Sequence, residues 1–231
     1  MLNYSLKNYW DQRYYYSRGN TYDWIEDYSN IRRLIEKLNI PKTSNILNVG
    51  CGNSEFSEKM YDDGYTNNYN IDISLEAVNL MKKRNEGKRP KLTFIQMNAK
   101  KMYYGNNFFD VAIDKGLLDT ILCGENADVE ASKLTKEITR VLKPNGIYIL
   151  ISLGSPKERL KHLQWDYLDF DIEAYDIKNF YEDIQKKTHY IYICKKQKDA
   201  DDRLKYYEDV LSEIKRYFFF LFSCLFTYFF N

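Results

Sequence analysis

Short apolar runs alternate along most of the chain with segments whose apolar residues recur every three or four positions. The short runs have the length of buried strands, and the recurring apolar positions are typical of amphipathic helices. The pattern predicts strands at residues 46–49, 68–73, 92–97, 108–113 and 147–153, and helices at residues 28–38, 55–61, 75–85, 117–122 and 129–142. This alternation predicts a parallel sheet with helices on both faces.

The pattern changes after Pro156. Residues 164–177 and 188–195 predict two further strands, which residues 178–187 join. A terminal strand pair with one antiparallel member would close the sheet. The predicted fold is therefore α/β, with a doubly wound, mostly parallel seven-stranded sheet and one antiparallel terminal strand.

The first predicted strand leads directly into Gly50 and Gly52, and a predicted helix follows. Glycines let the backbone turn sharply and approach a ligand closely, and the free N–H groups of a helix start favour an anion. Asp72 ends the second strand, 22 residues after Gly50. An acidic residue at about this spacing binds ribose hydroxyls in such folds. We therefore predict a nucleoside cofactor at this edge of the sheet.

Glu55 stands where a dinucleotide-binding turn has its third glycine. The missing glycine favours S-adenosylmethionine, which has no pyrophosphate, over a nicotinamide cofactor. Two alternatives stay open at this point. One is a nicotinamide enzyme, and the other is a structural turn with an exposed Asp72.

The first 28 residues are rich in aromatic and charged side chains. Trp10, Arg13 and Tyr14 are three and four positions apart, so a helix would place them on one face. This face either packs on the core or forms a lid over the cofactor, with Trp24 on the following loop.

Composition narrows the classes of function. The 231 residues carry a net charge of +1, so no overall field would attract nucleic acid, and no nucleic-acid partner is expected. Four cysteines without a Cys-x-x-Cys pair, and only two histidines, predict no metal site. The opening residues are polar and tyrosine-rich rather than apolar, which favours a cytoplasmic location.

The tail from residue 198 starts charged and ends in an apolar run at residues 217–230. As a helix, this run would be about 21 Å long. A bilayer core is about 30 Å thick, so a spanning anchor is not expected. A helix packed on protein, contact with a membrane surface, and translated noncoding sequence remain open.

Three blocks carry a resemblance to a known family: YWDQRY at residues 9–14, GCGNS at residues 50–54 and DKGLLD at residues 114–119. Together they resemble the class I, seven-stranded S-adenosylmethionine-dependent methyltransferases with a Rossmann-like fold. Within that class they resemble the group that methylates lysines of translation elongation factor 1-alpha. The resemblance covers residues 8–196. It divides the chain into an aromatic lid at residues 1–28, a catalytic domain at residues 29–196 and a tail at residues 197–231.

The resemblance implies roles for particular residues. With Gly52 from the turn, the implied cofactor-binding set is Trp10, Tyr14, Trp24, Gly50, Asp72, Ile73, Asn98, Ala99 and Lys115. Asp72 would take the ribose hydroxyls, and Asn98 the adenine edge. The chain departs from the family pattern at Asn48 and Asn98, where acidic residues are usual, and at Leu117, where threonine is common.

The expected reaction is methyl transfer to a protein lysine, with elongation factor 1-alpha as the expected partner. Asp114 and Asp119 are expected near the mouth of the site, where either could orient the amine or receive its proton. Asp119 could instead be a surface carboxylate or a helix hydrogen-bond partner, and Lys115 could pair with Asp72 or Asp114. A small-molecule methyltransferase and a non-catalytic binding scaffold are the alternative functions.

Overall fold

The computed structural model describes residues 4–177, 189–198, 205–209 and 212. Its described strands form one seven-stranded sheet in the order β3-β2-β1-β4-β5-β7-β6. The strands are β1 Ile46–Val49, β2 Asn68–Asp72, β3 Thr93–Gln96, β4 Phe109–Lys115, β5 Leu142–Ser152, β6 Phe170–Asp176 and β7 Tyr190–Lys196. The helices are α1 Lys7–Tyr16, α2 Tyr28–Lys37, α3 Phe56–Asp62, α4 Leu75–Asn85, α5 Leu117–Ile121, α6 Ala127–Val141 and α7 Pro156–Leu163.

The sheet has the predicted class. β1 to β5 pair in parallel, and β7 runs antiparallel to both of its neighbours, β5 and β6. The doubly wound, mostly parallel seven-stranded sheet with one antiparallel terminal strand is therefore confirmed. Parallel pairing of β1 to β5 needs a crossover after each strand. Helices form three of these four crossovers, α3 after β1, α4 after β2, and α5 with α6 after β4, whereas the described residues between β3 and β4 form no helix.

Two predicted segments differ from the structure. Helix α7 occupies residues after Pro156 where no helix was predicted, and β6 is shorter than the predicted strand at residues 164–177. Ser155 and Glu158 form a capping box with Pro156 in the first turn, which starts α7 despite its largely polar sequence. β5 begins at Leu142, directly after α6, and its pairing with β4 is irregular near its start.

Alternating side chains of the central strands supply two separate core layers. Ile46, Ile113 and Ile149 point to the layer that α2 and α3 cover. Leu47 and Leu150 point to the opposite layer, which α5, α6 and α7 cover. Because both faces are buried, the central strands read as nearly continuous apolar runs.

The strand order reverses between β1 and β4. β2 and β3 lie on one side of β1, and β4 and β5 lie on its other side. Open α/β sheets bind ligands outside the carboxyl ends of their strands at such a switch point. The fold therefore opens a crevice beyond Val49, the last residue of β1.

Several sequence-based expectations lie outside what the structure tests. The connection at residues 178–187 and the apolar run at residues 217–230 lie outside the described residues. In the described part of the chain, no helix is long and apolar enough to cross a membrane. The division into regions 1–28, 29–196 and 197–231, and the cytoplasmic location, stay predictions.

Lys196, at the end of β7, is fully buried. Its Nζ donates to the carbonyl oxygens of Thr139 and Leu142, each at 2.8 Å, and to Asn107 Oδ1 at 3.1 Å. The ammonium thus satisfies carbonyls at the C-terminal end of α6, where the helix dipole favours a positive charge.

Replacing Lys196 by methionine keeps the length of the side chain but leaves these buried carbonyls without this donor. We expect Lys196→Met to lower the free energy of unfolding by about 1–3 kcal/mol, measured by urea denaturation. Lys195→Met is the matched control, because Lys195 is exposed, and it should leave the midpoint nearly unchanged. Equal midpoints for the two variants would contradict this role of Lys196.

Candidate functional site

A cavity of about 360 Å³ opens at the carboxyl ends of the parallel strands. Its floor comes from the turn after β1 and from the ends of β2 and β4, and its cover comes from α1 and the loop before α2. Cavities of this size hold small-molecule cofactors.

The structure brings the predicted cofactor residues together around this cavity. Its lining includes Trp10, Tyr14, Trp24, Gly50, Gly52, Asp72, Ile73, Asn98, Ala99 and Lys115. Asp119 also lines the cavity, whereas Asp114 is not among the lining residues. Their roles in binding or catalysis stay predictions, and the geometry below shows what each side chain contacts.

The glycine turn takes a backbone conformation that suits glycine. Gly50 has φ +66° and Gly52 has φ +54°, both in the left-handed region. A Cβ at Gly52 would lie 2.6 Å from the Tyr14 hydroxyl oxygen, and one at Gly50 would lie 3.1 Å from Leu117 Cβ. The turn therefore leaves room for α1 and α5 to approach it closely.

Asp72 connects the end of β2 to this turn. Its carboxylate is buried and accepts hydrogen bonds from the backbone N–H groups of Gly52 and Ser74, each at 2.8 Å. Burial raises the pKa of Asp72 to about 6, and the charge of Asp11 adds to the rise, while the N–H donors oppose it. An ionised carboxylate has about four acceptor positions, so these N–H donors leave acceptor capacity for a ligand hydroxyl.

Aromatic rings from α1 and its following loop cover the cavity. Trp10 stacks on Tyr14 with ring centroids 5.7 Å apart and meets Trp24 edge-on at 6.0 Å. The guanidinium of Arg13 lies 4.7 Å from the Trp24 ring centre. The Trp24 Nε1 atom is buried and has no hydrogen-bond partner among the described residues. The next residue, Ile25, has φ +65°, an unusual conformation for a β-branched residue.

Lys115 holds this covering loop against the sheet. Its Nζ lies 3.0 Å from Asp23 Oδ1 and donates to the Trp24 carbonyl at 3.0 Å. Ser54 also donates to Asp23, which links the loop to the glycine turn. Burial lowers the pKa of Lys115, and Asp23 opposes the shift. The partner of Lys115 is therefore Asp23, and neither Asp72 nor Asp114.

Two asparagines replace the acidic residues of the family pattern. Asn48 donates to Asn68 Oδ1 at 2.8 Å, within a buried group of amides on β1 and β2. Asn98 lies at the cavity edge after β3, where its Oδ1 accepts from the Lys100 N–H at 2.9 Å. An amide oxygen has a second lone pair, so Asn98 keeps one acceptor position.

Asp114 lies at the end of β4 and is completely buried. Its carboxylate accepts from the N–H groups of Leu117 at 2.7 Å and Leu118 at 3.1 Å, and from the Tyr148 hydroxyl at 3.1 Å. Burial raises its pKa to about 7, and the charge of Asp119 adds to the rise. Asp114 thus holds the start of α5, and the structure does not bring it to the cavity.

Sequence reasoning missed part of the lining. The additional lining residues include Tyr4, Ser5, Tyr22, Ile25, Ser54, Phe56, Thr120, Ile121, Cys123 and Leu153. Leu117, Thr120 and Ile121 are three and four positions apart, so helical spacing on α5 could have indicated a common face. Phe56 begins α3, and the others lie outside helices and strands, where periodicity gives no signal.

The residues present fit an adenosyl cofactor. Asp72 keeps acceptor capacity beyond its N–H donors, Gly50 and Gly52 line the cavity without a side chain, and the buried Trp24 Nε1 has no partner among the described residues. Aromatic rings over the cavity suit a sulfonium cation.

Comparisons with known proteins agree with this site. A family model described as "Methyltransferase domain" matches residues 40–208, and the chain belongs to this family. Its relatives include an eEF1A lysine and N-terminal methyltransferase of Danio rerio, 38% identical over 152 residues, which are 65% of this chain and 22% of that protein. EEF1A lysine methyltransferase 4 of Mus musculus is 30% identical over 178 residues, which are 73% of this chain and 69% of that protein.

The chain spans about a fifth of the length of the first of these relatives. Among solved structures, a SAM-dependent methyltransferase of Methanosarcina mazei is 20% identical with a TM-score of 0.57, covering 71% of this chain and 97% of that one. A Haemonchus contortus N-methyltransferase in complex with S-adenosylhomocysteine is 15% identical with a TM-score of 0.58, covering 82% of this chain and 58% of that one. These similarities confirm the Rossmann-like class and the resemblance. With the family, they support S-adenosylmethionine as the cofactor.

Gly52 gives the first test of the site. We expect Gly52→Ala to weaken S-adenosylmethionine binding about tenfold or more, measured by calorimetry, because the added methyl group meets the Tyr14 hydroxyl. Gly87→Ala is the matched control, since Gly87 also has positive φ but has no atom near an added Cβ. Adding Tyr14→Phe to Gly52→Ala should restore part of the affinity. Equal affinities in the two alanine variants would contradict the role of this contact.

Asp114 gives a prediction for pH. Its pKa is raised in the folded protein, so folding takes up a proton between about pH 4 and about pH 7. Its contribution to stability is therefore full below about pH 4 and is lost as the pH rises through about 7. The excess stability of the wild type over Asp114→Asn should be larger near pH 5 than near pH 8, measured by urea unfolding. A difference that does not change with pH would contradict the assignment.

Proposed function

We propose that this chain transfers a methyl group from S-adenosylmethionine to the side-chain amine of a lysine in a protein, and that elongation factor 1-alpha is the target. The observation that carries the proposal is the covered cavity at the strand ends, where the Asp72 carboxylate meets the glycine turn beneath aromatic rings. The relatives named as eEF1A lysine methyltransferases support the choice of acceptor. A cytoplasmic location belongs to the same proposal.

The cofactor would supply an activated methyl group on a sulfonium. The chain's own residues would hold the cofactor, orient the acceptor amine towards it and exclude water from the reacting atoms. Asp72 and the glycine turn would hold the adenosyl part. Trp10 and Trp24 would shield the sulfonium from solvent.

A lysine acceptor must be neutral to attack. Apolar side chains such as Ile121 and Leu153 line the cavity, and an amine that leaves water among them has a lowered pKa. Of the described residues that line the cavity, the carboxylates are Asp72 and Asp119. Both already accept several hydrogen bonds, so the released proton would pass to water.

A labelling experiment tests the proposal. The full chain, tritiated S-adenosylmethionine and a cell lysate should label a protein of the size of elongation factor 1-alpha, and the purified factor should be labelled as well. Asp72→Ala should abolish the label and weaken cofactor binding, because the ribose acceptor is removed. Asp62→Ala is the matched control, since its carboxylate is exposed and is not among the residues that line the cavity.

The other outcomes are equally informative. If only the small-molecule fraction is labelled, the methyl acceptor is a metabolite and not a protein. Absence of cofactor binding in calorimetry would indicate a non-catalytic scaffold. Either result would overturn the proposal.

A further inference from the structure

The acidic side chain of Asp119 joins two segments that are distant in sequence. From α5, its carboxylate accepts from the Ser152 hydroxyl at 2.5 Å and from the Leu153 N–H at 3.0 Å. It also accepts from Arg159 on α7, with Nη2 at 2.6 Å and Nε at 3.1 Å. One carboxylate therefore holds the end of β5 and the start of the β5–α7 loop, residues 153–155.

Further contacts fix the same loop. Arg159 Nε donates to Ser152 Oγ at 2.8 Å, and the Tyr192 hydroxyl donates to the Gly154 carbonyl at 2.7 Å. A Cβ at Gly154 would lie 2.0 Å from Arg159 Cζ, so the guanidinium packs directly on the loop backbone. Groups from α5, α7 and β7 thus converge on residues 152–154.

This loop borders the cavity on the side away from the expected adenosyl position. Asp72 and Asn98 follow β2 and β3, on one side of β1, whereas α5 and the β5–α7 loop follow β4 and β5 on the other side. Leu153 lines the cavity with 53% of its surface exposed, so it is displayed at the mouth. An acceptor that enters from solvent would meet this wall.

The carboxylate of Asp119 is poorly placed to act as a base. Its side chain is 15% exposed and forms an ion pair with the Arg159 guanidinium, which is 13% exposed. Both oxygens already accept hydrogen bonds.

We propose that Asp119 is a positioning residue for the methyl acceptor: with Arg159, it fixes the β5–α7 loop as the acceptor-side wall. The inference rests on methyl transfer by this chain, but it holds for a lysine or for a small-molecule acceptor. The proposal thus assigns the acceptor side of the cavity to Asp119 and Arg159, and the cofactor side to Asp72 and Gly52.

Substitution by asparagine breaks this arrangement locally. One oxygen becomes an NH₂ group, which cannot accept from the Leu153 N–H or from the Arg159 guanidinium. Arg159 also loses its counter-ion in a nearly buried position, which is costly. We therefore expect the β5–α7 loop to lose these contacts and become more mobile in this variant.

Hydrogen exchange of the full chain tests this without an acceptor. In Asp119→Asn, exchange should rise at residues 153–155 and stay unchanged at residues 50–54, and the Kd for S-adenosylmethionine should stay within about twofold. Asp128→Asn is the matched control, because this exposed carboxylate also pairs with α7, through Lys161. Its substitution should change neither the exchange at residues 153–155 nor the Kd for S-adenosylmethionine. Unchanged exchange at residues 153–155, or weaker cofactor binding with faster exchange at residues 50–54, would overturn the inference.

Kinetics add a readout that a merely structural role would not move. With whichever acceptor the wild type methylates, Asp119→Asn should raise the acceptor KM, or lower kcat/KM for the acceptor, about tenfold or more while the cofactor KM stays unchanged. Arg159→Gln should have the same effect, and the double variant should be no worse than either, because the two residues act as one unit. Additive losses would overturn the pairing. If the only labelled acceptor is a small molecule, the lysine proposal fails while this test still stands.

Discussion

The site depends on one buried carboxylate that is held by backbone N–H groups. Asp72 loses its hydration when it is buried at the end of β2, and the N–H groups of Gly52 and Ser74 replace it. Ser74 also donates from its hydroxyl to Asp11 on α1 at 2.6 Å. The same few atoms therefore fix the glycine turn, the start of α4 and the covering helix relative to one another.

Much of the fold follows from local sequence. Apolar runs in the central strands are buried on both faces, and the two glycines after β1 form the predicted sharp turn, with both residues in the left-handed region. Helix α7 was missed because its sequence is mostly polar and shows little apolar periodicity, although Ser155, Pro156 and Glu158 form a local start signal. β5 could not be delimited either, because it begins where α6 ends and pairs irregularly with β4.

The site residues differ in the same way: those fixed by their position in the local sequence were predicted, and those that depend on distant contacts were not. Residues at strand ends, such as Asp72 and Asn98, were found from strand positions and from the resemblance. Asp23 was missed, because its partner Lys115 is 92 residues away and no periodicity connects them. Asp114 was placed near the mouth by its position after β4, but its carboxylate turns inward to the N–H groups of α5.

The covering loop has a consequence for turnover. Ile25 is held in a left-handed conformation, which costs of order 1–3 kcal/mol. Opening would release that cost, and it would partly offset rupture of the Lys115–Asp23 pair. Backbone strain at Ile25 and the Lys115–Asp23 ion pair therefore act in opposite directions on the loop that covers the cavity, the first favouring an open loop and the second a closed one.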